Sequence, residues 1–325
     1  MNKFKGIALI TVMLVVALAA TIATHMLARV QLEVKKSANI RFNQQAYWYA
    51  MGAEAFAKRV LKTSFEDEPA KTTLEQFWAQ DETTYPVPYG EITGKITDLQ
   101  ACFNLNALRN NASKATKDKT PAHTAFQELI IALNIEGVDA FTAEYMTDAL
   151  SDWLDSDTSI VSAGGAEDSD YSAKEHPYLA ANYYLASVNE LRVIEHFTKE
   201  VIQALKPFVC VLPNTNLHQV NINTIPSDKP ELLQALLAIS RSEAELALSI
   251  RDVEGFDNVD AFFNMPEVNK LKITDEQKQQ FVVDSQYFKL STVATFNNSY
   301  FYLNSMMQMN DDNQIKVISR TIGRD

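Results

Sequence analysis

IALITVMLVVALAATIATHMLA, residues 7–28, is a run of 22 residues without an Asp, Glu, Lys or Arg. As a helix rising about 1.5 Å per residue it reaches across a hydrocarbon core of about 30 Å. Lys3 and Lys5 precede it. The positive-inside tendency keeps that short basic end in the cytoplasm and sends everything after Arg29 across the membrane. Two fates are open for such a segment. Ala17-Leu18-Ala19 offers the small-residue pattern of a signal-peptide cleavage site behind the apolar stretch from Ile7 to Val16. Against cleavage there, the apolar run continues to Leu27 and enters Arg29 to Leu61, which has no Pro and only one Gly, Gly52. Nothing marks a break, so the sequence predicts one long helix, half in lipid and half in a soluble domain.

Downstream, an acid- and proline-rich loop is expected over 64–90, followed by a strand from Glu91 to Thr97. Helical spacing then dominates at Thr124 to Leu133, Ala140 to Leu154, Tyr178 to Leu185 and Val188 to Leu205. Strand character returns around Val220 and Ile222, and a helical pair follows at Pro230 to Ile239 and Ser242 to Arg251. The C-terminal stretches Tyr287 to Phe296, Tyr300 to Met309 and Gln314 to Thr321 are β-branched and aromatic. They are parted by the turn clusters Asn297-Asn298-Ser299 and Asn310-Asp311-Asp312-Asn313. The expectation is an α+β protein, an antiparallel meander against the first helix with a large all-helical insert.

Composition narrows the function. Lys+Arg 29 against Asp+Glu 41 gives a net charge of −12, which repels phosphate backbones and argues against nucleic acid as a partner. With 9 glycines and one adjacent pair, Gly164-Gly165, no GxGxxG or GxxxxGK[ST] cradle can be written. The five histidines never form HExxH and no serine sits in GxSxG, so the chain reads as a non-enzyme. Val253-Glu254-Gly255-Phe256-Asp257 has the outline of a helix-hairpin-helix turn, but Glu254, Asp257 and Asp260 would oppose phosphate, and a structural turn is expected. Cys102 and Cys210 are too few for a disulfide scaffold and form no CxxC.

From Thr120 to Ala173 there is no Lys or Arg, yet eleven carboxylates occur. Such a cluster is either a solvated acidic face or a cation site. Asp155 and Asp157, with Glu167 and Asp168 brought back by Gly164-Gly165, are four carboxylates for one hard cation, and Asp152 and Asp170 are further candidates. A glycosidase pair is the third reading, weakened by the lack of an aromatic platform; Trp153 and Tyr171 are expected to pack the loop.

MNKFKG before IALITVMLVVALA resembles a type IV prepilin leader ending at Gly6. Gln45-Ala-Tyr-Trp-Tyr-Ala-Met-Gly-Ala-Glu54, Asp152-Trp-Leu-Asp-Ser-Asp157, Gly165-Ala-Glu-Asp168, Ser187-Val-Asn-Glu-Leu-Arg192 and Asn221-Ile-Asn-Thr224 resemble the general secretion pathway protein K family, minor pseudopilins of type II secretion. The resemblance implies a leader over 1–6, a transmembrane helix over 7–28, a pilin-like domain in two parts, 29–105 and 210–325, and a helical insert over 106–209. It implies cleavage between Gly6 and Ile7 by prepilin peptidase, N-methylation of Ile7, and a single-pass inner-membrane protein whose head lies in the periplasm. It also implies bound Ca²⁺ in the helical domain, minor pseudopilins I and J as partners, and a place at the tip of the pseudopilus. In that compartment a bond between Cys102 and Cys210, which flank the expected insert, is anticipated. Thr11, fifth from Ile7, stands where most pilin-like subunits carry a glutamate, and so becomes a candidate tip determinant. The rival from another class is a secreted, calcium-stabilised hydrolase released by ordinary signal cleavage.

Overall fold

The computed structural model describes residues 5–109, 120–310 and 314–324. Residues 1–4 of the expected leader, 110–119 of the expected insert and 311–313 of the second turn cluster lie outside these. One helix, α1 (Lys5–Asp67), runs through the apolar segment and on into the head without interruption. At about 1.5 Å per residue it is roughly 95 Å long. Its apolar half is exposed, as in Leu14 and Leu18, and has the length and composition to cross a membrane. Its second half buries a single stripe, Ala46, Ala50, Glu54, Ala57, Leu61 and Phe65, at the three- and four-residue spacing of one helix face.

That stripe lies on a five-stranded antiparallel sheet in chain order, β1 (Thr83–Val87), β2 (Gly90–Asp98), β3 (Tyr287–Phe296), β4 (Ser299–Met309) and β5 (Ile315–Ile322). Alternation decides which residues meet the helix. Phe288, Leu290 and Met307 pack with Ala57, Val60, Leu61, Phe65 and Trp78, while Ala294 and Leu303 pack with Ala50. Small residues at 46, 50 and 57 let backbone and sheet approach closely. In the middle of the stripe Glu54 is 2% exposed. Arg320 of β5 donates to it twice, Nε to Oε2 at 2.7 Å and Nη2 to Oε1 at 2.9 Å, and Ser305 Oγ of β4 donates to Oε2 at 2.7 Å.

The expected 64–90 loop differs in its second half, where β1 pairs with β2 through a two-residue turn with Tyr89 at φ 61°. Pro86 is tolerated because β1 is an edge strand. Between β2 and β3, neighbours in the sheet, the chain leaves for residues 99–286. Its helices, α2 (Pro121–Ala132), α3 (Ala140–Leu154), α4 (Asp168–Ser172), α5 (Lys199–Leu205), α6 (Pro230–Leu237) and α7 (Arg241–Ser249), surround one core. That core reaches from Phe103 to Phe281 and includes Phe126, Leu129, Met146, Leu150, Leu233 and Phe262.

The body inserted into the sheet is therefore larger than the expected 106–209, and the 210–325 segment divides between two cores. Helical periodicity marks an apolar face without saying which core it enters. Here α6 packs against α2, not against the sheet. Two expected helices also differ. Tyr178 to Leu185 is irregular because Leu185 bonds the buried Asn106 side chain, its N–H to Oδ1 at 2.8 Å and its carbonyl to Nδ2 at 3.1 Å. Val188 to Leu205 divides into a 3₁₀ turn (Val188–Val193), capped by Ser187 and Glu190, and α5, capped by Thr198.

A disulfide closes the root of the insert, and a buried carboxylate ties that root to the sheet. Cys102 and Cys210 are bonded, with Cα atoms 5.8 Å apart, beside a two-residue parallel bridge between Phe103–Asn104 and Val209–Cys210. Asp98, at the end of β2, is fully buried and accepts from Gln100 N (2.7 Å), Thr224 Oγ1 (2.5 Å) and Ser285 Oγ (2.6 Å). It joins the exit from β2, the middle of the insert and the entry to β3. Burial pushes its carboxyl up to about 6.

Two outcomes are expected. Hydrogen bonding from Arg320 holds the Glu54 carboxyl below its ordinary range. The stability this contributes is present above the unfolded Glu value of about 4.3 and is lost as pH falls through the lower folded value. Arg320→Ala should cost about 2–3 kcal/mol near neutral pH and flatten that acid-side loss in denaturant titrations of the detergent-solubilised chain. An unchanged acid limb would count against the assignment. Closing a loop of 108 residues, the disulfide should raise stability by up to about 4.7 kcal/mol, read as the shift in denaturation midpoint on reduction. Thiol titration of the unreduced, unfolded chain should find none.

Candidate functional site

The acidic segment is positioned by the end of α3. Asp139 caps its start, accepting from Thr142 N at 2.8 Å. Asp148, Asp152 and Asp155 follow at the spacing of one helix face. The loop after α3 folds back over that face. It is held there by Ser162, whose hydroxyl donates to Asp148 Oδ2, and by Val161 N, which donates to Asp152 Oδ1 at 3.0 Å. The approach requires the Gly164-Gly165 pair. A Cβ on Gly164 would stand 2.7 Å from Tyr145 Cα, and one on Gly165 would stand 2.0 Å from Asp152 Oδ2. Beneath the loop Trp153 meets Tyr171 edge to face at 5.1 Å, and Tyr171 stacks on Tyr178 at 5.3 Å.

This fold-back brings Asp155, Asp157 and Glu167 together, with one carboxylate oxygen from each lying within 4.8 Å of the others. Asp155 Oδ1 accepts from Asp157 N, and Asp157 Oδ1 accepts from Ser159 N, so the turn orients its own carboxylates. Glu167 is 2% exposed and both its carboxylate oxygens are buried without a hydrogen-bond partner. Asp152 is wholly buried and its Oδ2 also lacks one. Burial, then the neighbouring carboxylates, pushes Asp152 up to about 8 and Glu167 up to about 7.

The other two candidates do local work. Asp168 Oδ1 accepts from Ala180 N at 3.0 Å, and Asp170 Oδ2 accepts from Glu167 N at 3.0 Å, closing the first turn of α4. Asp148 and His196 were not singled out in the sequence. The first latches Ser162; the second bonds the Gly164 carbonyl through Nε2 at 3.1 Å. For Asp148 a signal exists in its place four residues before Asp152 on the same helix. His196 carries none, because its backbone turns at φ 70° far along the chain. A set of oxygen donors that includes buried carboxylate oxygens without a hydrogen bond, on Asp152 and Glu167, suits a hard divalent cation.

At the other end of the molecule Gly6 and Ile7 lie in the first turns of α1. The Thr11 hydroxyl donates to the Ala8 carbonyl at 2.9 Å, as those of Thr21 and Thr24 do to Leu18 and Thr21. It therefore adds no charge to the apolar segment.

Comparison with known proteins covers both halves of the molecule. Two family models described as type II secretion system, protein K, match residues 101–214 and 220–284. Together they take in the insert, including the segment placed by sequence in the second part of the sheet domain. Type II secretion system protein K of Aeromonas hydrophila is 35% identical over 326 residues, 98% of this chain and 97% of that protein. The protein K of Klebsiella pneumoniae is 35% identical over 94% of this chain and 93% of that one. A chain in the crystal structure of the GspK–GspI–GspJ complex from enterotoxigenic Escherichia coli superposes with a TM-score of 0.80 at 32% identity. The match covers 89% of this chain and all of that one. With a membrane-length helix laid on an antiparallel sheet, a helical body inserted between neighbouring strands, and near-full-length kinship, the chain belongs to the type II secretion system protein K family.

Proposed function

We propose that this protein is a minor pseudopilin at the tip of a short periplasmic filament, where it supports protein export by assembly and not by catalysis. The observation that carries the reading is the continuity of α1, whose exposed apolar half leads without a break into a half locked on the sheet. A free secreted hydrolase would have to lose that first half, and it finds no support among the relatives. In the proposed reading prepilin peptidase cuts between Gly6 and Ile7, Ile7 is N-methylated, and the helix anchors the chain in the inner membrane with its head in the periplasm. Minor pseudopilins I and J are the proposed partners, supported by the likeness to a chain of the GspK–GspI–GspJ complex.

Two features favour the tip. A carboxylate in lipid costs about 2.5–3.5 kcal/mol unless it meets an opposite charge, such as the terminal amine of a subunit above. Neutral Thr11, bonded within its own helix, needs no such neighbour. The inserted body also widens the head beyond what tight repetition along a filament allows. Intact mass of the assembled subunit should show loss of residues 1–6 alone with one added methyl group. Labelled heads should sit at one filament end, and Thr11→Glu should raise entry into internal positions. Heads spread along the length would overturn the tip assignment.

Calcium is the proposed cation for Asp155, Asp157 and Glu167, with Asp152 beside them and Asp168 and Asp170 shaping the loop. Its chemistry there is neutralisation of converging carboxylates, with other oxygens completing the ~6–8 it takes. Because Asp152 and Glu167 are raised, the metal-free fold holds more protons than the unfolded chain between about pH 4 and 8, and loses stability as pH rises across that window. Calcium displaces those protons, so its stabilisation should grow over the same window, reaching about 2.7 kcal/mol at a hundredfold excess over Kd. Melts with calcium and with chelator should diverge more at pH 8 than at pH 5, and Asp155→Ala should close the gap. Superimposable melts would leave a solvated acidic loop.

A further inference from the structure

Between the apolar run of α1 and the head, residues 29–41 carry Arg29, Lys35, Lys36 and Arg41 against one acid, Glu33. The chain as a whole has Lys+Arg 29 and Asp+Glu 41, so this is a basic collar on an acidic protein. All four side chains are exposed, and among the described residues no ion pair engages them. The head begins just above, where the Phe42 ring meets that of Phe296 at 5.7 Å. Lys and Arg ordinarily gather on the cytoplasmic side of a span. Here four stand beyond its far end and two, Lys3 and Lys5, before its near one. With the leader cut after Gly6, those two are gone.

Height and direction along α1 say what the collar meets. Arg29 adjoins Ala28, the last residue of the apolar run, and Lys35 and Lys36 stand about 11–12 Å beyond it at 1.5 Å per residue. A headgroup layer is about 5–8 Å thick on each side of the hydrocarbon core. Helical side chains lean toward the N-terminus of their own helix, which for α1 is the apolar end, so both lysines reach back toward that layer. Arg41, about 20 Å from Ala28, stands more than a Debye length of about 8 Å above it. At 3.6 residues per turn Arg29 and Lys36 share one face, while Lys35 and Arg41 point about 120° to either side. A partner helix covers one stripe of another helix. Headgroups surround a helix on every side.

We infer that Arg29, Lys35 and Lys36 bind the anionic headgroups of phospholipids in the leaflet on the head's side, an inference that rests on the membrane-anchored reading above. The test places the full chain in phosphatidylcholine nanodiscs with a trace of spin-labelled lipid, either phosphatidylglycerol or phosphatidylcholine. Electron paramagnetic resonance then reads the share of each label immobilised at the protein. Because the chain carries −12 overall, a preference for the anionic label has to arise from a local basic site. A preference of about fivefold is expected, the worth of one basic side chain at an anionic surface, and it should fade in concentrated salt. Lys35→Gln with Lys36→Gln should cut it at least twofold, by the same scale. Arg41→Gln with Arg59→Gln, equal in charge removed and farther from the bilayer, should leave it unchanged. Parity between the two labels in the unaltered chain would overturn the inference. So would equal losses in the two charge pairs, or loss of the preference to inorganic phosphate or soluble polyglutamate at matched ionic strength. Immobilisation of neither label would sink the anchoring reading itself, and the inference with it.

Discussion

A carboxylate in an apolar stripe sets how the whole molecule is assembled. Ala46, Ala50, Ala57 and Leu61 would let α1 slide or rotate on the sheet at small cost, because small aliphatic surfaces fit one another in several registers. Glu54 removes that freedom. Its charge is buried only where Arg320 can supply a fork and Ser305 a hydroxyl, and those two lie on different strands. One helix register satisfies both, and any shift leaves a buried charge unpaired at a cost of several kcal/mol. The pair is thus worth more for the placement of β4 and β5 against α1 than for net stability.

This placement bears on the apolar half of the helix. Since α1 has no Pro and its second half is fixed to the head, orientation of the head is transmitted along a rigid rod to the apolar segment. A break between Ala28 and Ala46 would uncouple them. The exposed polar residues of that stretch, Lys35, Lys36 and Arg41, are compatible with water on all sides of the helix, which good helix formers sustain when both ends are held.

Much of this was legible before any coordinates. The apolar run, the absence of Pro as far as Leu61, and three β-branched stretches parted by Asn-rich turns specify helix and meander through local chemistry alone. The bounds of α3 and β3 follow the same rules. What was hidden depends on tertiary choice. Thr83–Val87 is a strand because β2 offers it an edge, although Pro86 argues otherwise in isolation. Leu185 leaves a helical pattern because Asn106, far away in sequence, takes both its backbone groups. The extent of the insert is hidden because an amphipathic α6 fits either core by period, and only the fold places its leucines in one cluster with Phe126 and Ile130. At the acidic loop the carboxylate types and the Gly pair were readable. Which of six candidates converge was not, since Asp168 and Asp170 differ from Glu167 only in the backbone groups that reach them first.

Charge segregation follows from the same topology. The insert leaves the sheet at Asp98 and returns at Ser285, so its root must face the sheet while the end of α3 and the loop after it are free to face away. Carboxylates concentrated after Thr120 therefore gather where a cation or solvent can neutralise them, and none of them lines the root. The root retains Lys206 and Lys229 opposite Lys289 and Arg324. Asp98, beside them, joins three chain segments through its hydrogen bonds. The disulfide closes the insert's own root, and the hydrogen bonds of Asp98 to Thr224 and Ser285 fix that root to the end of β2, so the position of the whole inserted body is set where it leaves the sheet.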